Sequence, residues 1–144
     1  MSGRPTHLCI SIERRKRGSV PNNASVVLTV EVAGLRLLLL GDVEREAARQ
    51  VLVSLQHQAR APPAFDVVKV AHHGSANRDD ALLAYVRAAI AVVSVGVDND
   101  YGHPASSTLR ALRDDGYQVY RTDVSGDVAV RKTESGGVEV ATLR

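Results

Sequence analysis

The chain is poor in the residues that small proteins use for covalent cross-links and aromatic surfaces. Its 144 residues include one cysteine, Cys9, so an internal disulfide is excluded. Tryptophan is absent and aromatic residues make up 3%, so the core must be aliphatic and an extended base-stacking platform is not expected. The net charge of +2 does not by itself indicate a nucleic-acid partner.

Long apolar runs are also missing. No stretch approaches the ~20 apolar residues that a membrane-spanning helix needs, and the first six residues lack the apolar centre of a signal peptide. We therefore expect the chain alone to be soluble, without a signal or transmembrane segment. Hydrophobic residues make up 44% of the sequence and charged residues 24%, as in an ordinary globular domain.

Three apolar segments each end in polar residues that can bind metal ions. Residues 66–70 have the character of a buried strand and lead directly into His72, His73 and a Gly-Ser pair. Upstream, a run of leucines ends in Gly41 and Asp42; downstream, the apolar run 91–95 leads into the polar loop 96–104. Because open α/β sheets bind their ligands at the carboxyl ends of the strands, this arrangement predicts a functional site.

Hydrophobic periodicity predicts one α/β domain with the order β-β-β-α-β-α-β-α-β-β-β. Apolar residues at helical spacing start at Val43, and on this helix we expect Glu44 to face water. Asp42 could serve simply as its N-cap. The predicted strands cover 7–12, 24–32, 35–40, 66–70, 90–97, 117–122, 127–132 and 138–143, and the predicted helices 43–57, 79–88 and 106–115.

Asp42, His72 and His73 are the candidate metal ligands, because ionised Asp and neutral His bind divalent transition metals. The two histidines should point to different sides of an extended backbone. One would then ligate a metal ion, and the other would contact a substrate phosphate or a carboxylate. The simpler interpretation is a pair of surface histidines. Ser75 could bind an anion through its hydroxyl or amide.

Asn99, Tyr101 and His103 form a polar cluster on the loop after the most apolar predicted strand. Loops on rigid scaffolds often carry function, although this one could be an ordinary turn. His103 is a candidate metal ligand or general acid. The basic run 14–17 fits a solvated loop or a contact to a phosphate backbone.

Together these segments resemble one protein family, the ComEC-type competence proteins, which are DNA-uptake channels. The resemblance is to their C-terminal metallo-β-lactamase-fold domain. It is carried by Asn22-Asn23-Ala24-Ser25, Gly41-Asp42, Lys69-Val70-Ala71-His72-His73-Gly74-Ser75 and Asp98-Asn99-Asp100-Tyr101-Gly102-His103-Pro104, and by Tyr120-Arg121-Thr122-Asp123 with Gly126.

The resemblance implies an αββα sandwich that hydrolyses phosphodiesters, with two zinc or manganese ions in the complete site. Asp42 and either His72 or His73 would be metal ligands. The catalytic loop would be formed by Asn99, Tyr101 and His103, with Asn23 and Ser75 contacting the substrate. In the family this domain lies outside the cytoplasm, on the cytoplasmic membrane, and its activity is the degradation of the DNA strand that is not imported.

One principal motif of that fold, His-x-His-x-Asp-His, is not found in the sequence. We therefore interpret residues 1–144 as the C-terminal half of the domain, with residues 1–20 matching poorly, and expect little activity from the chain alone. The expected partners are DNA, the missing N-terminal half or the membrane channel portion, and a second copy bound through an exposed sheet face. The alternatives are a non-catalytic relic or DNA-guiding module, and a metallohydrolase of the same fold that acts on small phosphoesters.

Overall fold

The computed structural model describes residues 19–58 and 62–144 together with the backbone of residues 6–10. Strands and helices alternate through most of this region, as the sequence predicts. The strands are β1 (Thr6–Ile10), β2 (Val27–Val32), β3 (Leu35–Leu39), β4 (Val67–Lys69), β5 (Ile90–Val93), β6 (Gln118–Arg121), β7 (Asp127–Lys132) and β8 (Val138–Leu143). The helices are α1 (Arg45–Gln58), α2 (Asp80–Val86), α3 (Ser106–Asp114) and the short α4 (Thr122–Ser125).

Six strands form one mixed sheet in the order β1-β2-β3-β4-β5-β6. The first three are antiparallel, and β2 and β3 form the predicted hairpin. From β3 to β6 all neighbours are parallel, because a helix returns the chain to the same end of the sheet between each pair of strands. The carboxyl ends of β3, β4 and β5 therefore meet at one edge.

The core lies between this sheet and its helices. Helix α1 buries Ala47, Ala48, Val51, Leu52 and Leu55, which are the apolar positions expected from its helical period. They pack with Leu38, Val68 and Ala91, adjacent residues of β3, β4 and β5 that are each fully buried. On the other sheet face, Val67 and Ile90 are buried, whereas Leu39 and Val92, nearer the carboxyl ends of the strands, are only partly buried. One face of the sheet is thus covered more completely than the other.

The hairpin β7–β8 forms a separate two-stranded sheet with the predicted boundaries. An ion pair joins it to the main sheet, with Lys132 Nζ 2.6 Å from Asp66 Oδ1. The Oδ2 atom of Asp66 accepts a hydrogen bond from the Arg36 amide at 2.8 Å. Although burial raises the pKa of Asp66, the hydrogen bonds from Lys132 and Arg36 outweigh it, and the net pKa is lowered.

Several local predictions need correction. Glu44 does not face water: it is 6% exposed and accepts hydrogen bonds from the preceding turn. Asp42 is not the N-cap of α1, because that helix begins three residues later at Arg45. The predicted strand 90–97 ends at Val93, where the polar loop begins. The residues from 11 to 18, which include the basic run, lie outside the described residues.

The α/β class is confirmed, and the metallo-β-lactamase sandwich stays a prediction. In the described part of the chain, no helix has both the length and the apolar character needed to cross a membrane.

Candidate functional site

Hydrogen bonds bring the ends of three parallel strands together at the candidate site. The Leu40 amide donates to the Lys69 carbonyl at 3.4 Å, and the Val70 amide donates to the Val92 carbonyl at 2.9 Å. Beyond the strands, the His72 amide donates to the Gly41 carbonyl at 3.0 Å. Asp42, the histidine pair and the loop after β5 therefore lie at one edge of the sheet.

The turn at Gly41 positions Asp42. Gly41 has a positive φ of 58°, and a Cβ atom there would lie 2.9 Å from the Ser25 Cβ and 3.0 Å from the Val26 carbonyl oxygen. Glycine suits this position because it adopts a positive φ without strain and has no Cβ atom to make these close contacts. The Asp42 amide donates to Ser25 Oγ at 3.0 Å, which fixes this turn against the segment that precedes β2.

The histidine pair lies on backbone of an unusual conformation. His72 and His73 have φ values of 46° and 52°, in the left-handed region that residues with a side chain rarely occupy. Each such residue costs roughly 1–3 kcal/mol, and strain of this kind clusters at functional sites. Gly74 follows at φ 81°, and a Cβ atom there would lie 2.6 Å from Pro104 Cβ. The turn therefore packs tightly against Pro104, two residues before α3.

The ring of His73 is oriented toward Asp42. Its Nδ1 atom lies 2.6 Å from the Ser94 carbonyl oxygen, and since a carbonyl only accepts, Nδ1 is the protonated nitrogen. Nε2 lies 3.5 Å from Asp42 Oδ1. An imidazole fixed at Nδ1 by a backbone carbonyl, with Nε2 beside a carboxylate, is an arrangement typical of metal-binding histidines.

His72 faces different groups. Its ring centroid is 6.4 Å from that of His73, and its Nε2 atom lies 3.5 Å from Asn22 Nδ2. Its buried Nδ1 atom has no hydrogen-bond partner in the described part of the chain and is 3.9 Å from Glu44 Oε1. The ring of His103 is 5.3 Å from that of His72 in an edge-on contact. Burial lowers the pKa of His103, and the two neighbouring histidines lower it further.

Lys69 adds a cation beside Asp42. Its Nζ atom donates to the Gly41 carbonyl at 2.9 Å and lies 3.7 Å from Asp42 Oδ1. Burial lowers the pKa of Lys69, and Asp42 partly opposes that effect. Lys69 thus counterbalances part of the negative charge that Asp42 brings to the site.

The loop after β5 is ordered by its own side chains. Asn99 Oδ1 accepts a hydrogen bond from the Tyr101 amide at 2.9 Å, and Asn99 Nδ2 donates to the His103 carbonyl. At its base, Thr122 Oγ1 bonds both the amide and the carbonyl of Val95. An open pocket of about 280 Å³, here termed the loop pocket, is lined by His73, Val95, Gly96, Asp98, Asn99, Asp100, Tyr101 and His103.

Ser75 and Asn23 lie away from the loop pocket. Ser75 is 8% exposed, and its hydroxyl accepts a hydrogen bond from the Asn77 amide at 3.2 Å. Asn23 is 7% exposed, and its Oδ1 atom accepts from the Glu44 amide at 3.0 Å. In this structure both side chains hold turns around the site, and their substrate-binding roles stay predictions.

Glu44 is the main residue that the sequence analysis missed. Its Oε2 atom accepts from the Ser19 amide at 2.9 Å, and its Oε1 atom accepts from Asn22 Nδ2 at 3.0 Å. The carboxylate therefore holds the Asn22–Ala24 turn beside His72. In the sequence, the only signal for this role was the position of Glu44 two residues after Asp42. Acidic residues are common at the start of a helix because they interact favourably with the helix dipole, so that position does not by itself indicate a buried contact.

Imidazole and carboxylate match the ligand preferences of zinc and manganese, and the Asp42–His73 pair fits two positions of a coordination sphere. Within residues 19–58 and 62–144, however, no group of three or more His, Cys, Asp or Glu side chains is arranged to hold an ion. Within the described residues, the Asp42–His73 pair is therefore a candidate for part of a metal site, and its metal-binding role stays a prediction.

Three known proteins are similar in sequence to this chain. It is 33% identical over 111 residues to ComE operon protein 3 of Bacillus subtilis, 76% of the chain and 14% of that protein. It is 30% identical over 124 residues to competence protein ComA of Neisseria gonorrhoeae, 85% of the chain and 17% of that protein. It is 34% identical over 110 residues to recombination protein 2 of Haemophilus influenzae, 76% of the chain and 13% of that protein.

The chain thus spans between 13% and 17% of the length of these relatives. No family model matches it.

Proposed function

Because this chain is homologous to three proteins, one of them named as a competence protein, we propose that it is part of a ComEC-type DNA-uptake protein acting in natural transformation. In the complete protein it contributes to a metal-dependent hydrolase that cleaves phosphodiester bonds in DNA. The observation that carries the catalytic part of the proposal is the 3.5 Å approach of Asp42 Oδ1 to His73 Nε2 at the strand ends.

Asp42 and His73 are the residues that would hold a zinc or manganese ion. When bound, such an ion supplies Lewis-acid activation of water and of the phosphoryl oxygen. The Ser94 carbonyl accepts a hydrogen bond from His73 Nδ1, which orients the ring so that Nε2 is aimed at Asp42. The lowered pKa of His103 favours the neutral ring, the form that accepts a proton, over the protonated form that the general-acid role expected from the sequence would need.

The remaining metal ligands come from another part of the complete protein in this proposal. The less covered sheet face, where Leu39 and Val92 are only partly buried, suits a partner that packs against it. That partner would be the missing half-domain or membrane channel portion, with a second copy of the chain as the alternative. The domain would then lie outside the cytoplasm, on the cytoplasmic membrane.

The test combines the chain with the segment of ComE operon protein 3 that precedes the matched region, and measures manganese-dependent cleavage of single-stranded DNA. We expect the mixture to cleave DNA, and Asp42→Ala and His73→Ala to reduce the rate by at least about 100-fold, since these two side chains would hold the ion that activates water. His57→Ala, an exposed histidine on α1, is the matched control and should retain activity.

Cleavage by Asp42→Ala at the wild-type rate would refute the assigned ligands. DNA binding without metal-dependent cleavage by any mixture would refute the hydrolase. Turnover of small phosphodiesters without DNA cleavage would favour the same fold acting on small phosphoesters.

A second candidate function is a non-catalytic DNA-binding module. It is favoured by Lys69, whose Nζ atom lies 3.7 Å from Asp42 Oδ1 and counterbalances part of the charge of that carboxylate. This candidate predicts DNA binding that falls steeply with salt and survives a chelator. Removing the basic run 14–17 should then weaken that binding more than Asp42→Ala does.

A further inference from the structure

Tyr101 is an aromatic side chain that the fold leaves in water beside the candidate site. It is 87% exposed, whereas Tyr117 is 5% exposed and belongs to the core. In a chain with so few aromatic residues, a ring kept on the surface at the rim of a pocket is a candidate contact for a ligand. Exposed aromatic rings that line a groove are used by single-strand-binding proteins to stack nucleobases.

The loop holds Tyr101 in place before any ligand arrives. Asn99 fixes its backbone amide and, at the same time, the carbonyl of His103. The rings of Tyr101 and His103 are nearly parallel, with 20° between their planes and 6.4 Å between their centroids. The ordered loop backbone therefore presents the ring of Tyr101 at the rim of the pocket, next to His103.

Polar groups of the loop pocket suit the edge of a base better than a phosphate. Asp98 and Asp100 line it, and their carboxylates repel a phosphate but accept hydrogen bonds from the exocyclic amino groups of bases. His73 lines the same pocket and His72 contacts His103, so the histidine rings connect the loop pocket with the strand ends, where Lys69 lies beside Asp42. The acidic loop with Tyr101 therefore suits a base, and the nearest groups that can contact its phosphate are the histidine rings.

We propose that the loop pocket is a nucleobase subsite, in which a base of a single-stranded nucleic acid stacks on Tyr101 while its phosphate lies toward the histidines. This inference rests on the proposed function and deepens it. It assigns the substrate class, because a small phosphoester without a base would gain nothing from Tyr101.

The test measures binding by fluorescence anisotropy, with two labelled single strands of equal length: one of DNA and one of abasic DNA with the same phosphates. We expect the chain to prefer the strand with bases. Tyr101→Ala should weaken its binding to that strand by roughly 5- to 150-fold, the value of one stacked base, and leave binding to the abasic strand unchanged.

Two variants are controls. Tyr101→Phe keeps the ring and should retain the preference for bases. Val97→Ala removes apolar surface from a 71% exposed residue of the same loop and should bind both strands as the wild type does. Because Tyr101 is exposed, its removal should leave the urea midpoint of unfolding unchanged, so a loss of binding would not reflect unfolding.

Equal binding of the two strands by the wild type, or wild-type affinity of Tyr101→Ala for the strand with bases, would overturn the subsite and leave the proposed function standing. If the wild type binds neither strand, the proposed action on DNA fails, and the subsite fails with it.

Discussion

Replacing Glu44 with alanine should destabilise the fold strongly, although the sequence suggests an exposed helical residue. The carboxylate is buried and accepts hydrogen bonds from the Ser19 amide and from Asn22 Nδ2. Hydrogen bonds to charged groups contribute about 1.5–3 kcal/mol each, and truncation leaves both donors without their acceptor. Because truncation also relieves the cost of burying the charge, we expect a net loss of about 2–4 kcal/mol in the free energy of unfolding.

Urea denaturation followed by circular dichroism measures this loss as a shift in midpoint at constant slope. Glu44→Gln is the informative intermediate. Its amide oxygen can still accept from Ser19, but its NH₂ group would face Asn22 Nδ2, another donor, so we expect a loss of about 1–2 kcal/mol.

Glu134→Ala, at an exposed position of the β7–β8 turn, is the matched control and should change the free energy by less than about 0.5 kcal/mol. If Glu44→Ala were no more destabilising than Glu134→Ala, the carboxylate would not hold the Asn22–Ala24 turn, and the reasoning about His72 and its surroundings would fail with it.

Three further predictions concern the scaffold around the site. The pKa of Asp66 is lowered in the folded protein, so its ionised form stabilises the fold above the unfolded pKa of about 4, and this stabilisation is lost as pH falls through the folded pKa. Lys132→Met should make the urea midpoint of unfolding fall less over this acidic pH range than it does in the wild type. Tyr117 donates to the Leu83 carbonyl at 2.6 Å, and burial raises its pKa to about 12; Tyr117→Phe should cost about 1 kcal/mol in thermal unfolding, and an unchanged Tm would argue against that bond. Gly41→Ala should cost about 1–3 kcal/mol through its positive φ and its contact with Ser25, whereas the same change at Gly96, where no atom lies within 4 Å of an added Cβ, should cost far less.

The main lesson of the site concerns which histidine faces the carboxylate. From the sequence, His72 and His73 were equivalent neighbours in an extended segment. In the structure both take left-handed conformations, and the Ser94 carbonyl selects the orientation of His73 toward Asp42. Ser94 directly follows β5, 21 residues away from His73 in the chain, so no local pattern could have indicated it.

The prediction that Glu44 faces water was wrong for a related reason. Its place in the helical period indicates the solvent side of α1, and that side is usually polar and exposed. The segment before β2 folds over the start of the helix and covers the carboxylate. Burial of this kind depends on a contact between residues far apart in the chain, which periodicity does not record.

The sequence by itself determined the α/β class, the order of the elements, the β2–β3 and β7–β8 hairpins and the apolar face of α1, because these follow from periodicity and turn residues within short segments. It also predicted that Asp42, the histidine pair and the loop 96–104 would lie together at the ends of β3, β4 and β5, since parallel strands joined by helices must end at one edge. Only the tertiary structure decided that His73 faces Asp42, that Glu44 is buried and that Tyr101 is left exposed beside the loop pocket. Each of these depends on distances between side chains from separate segments, and those distances exist only once the sheet and its loops have packed together.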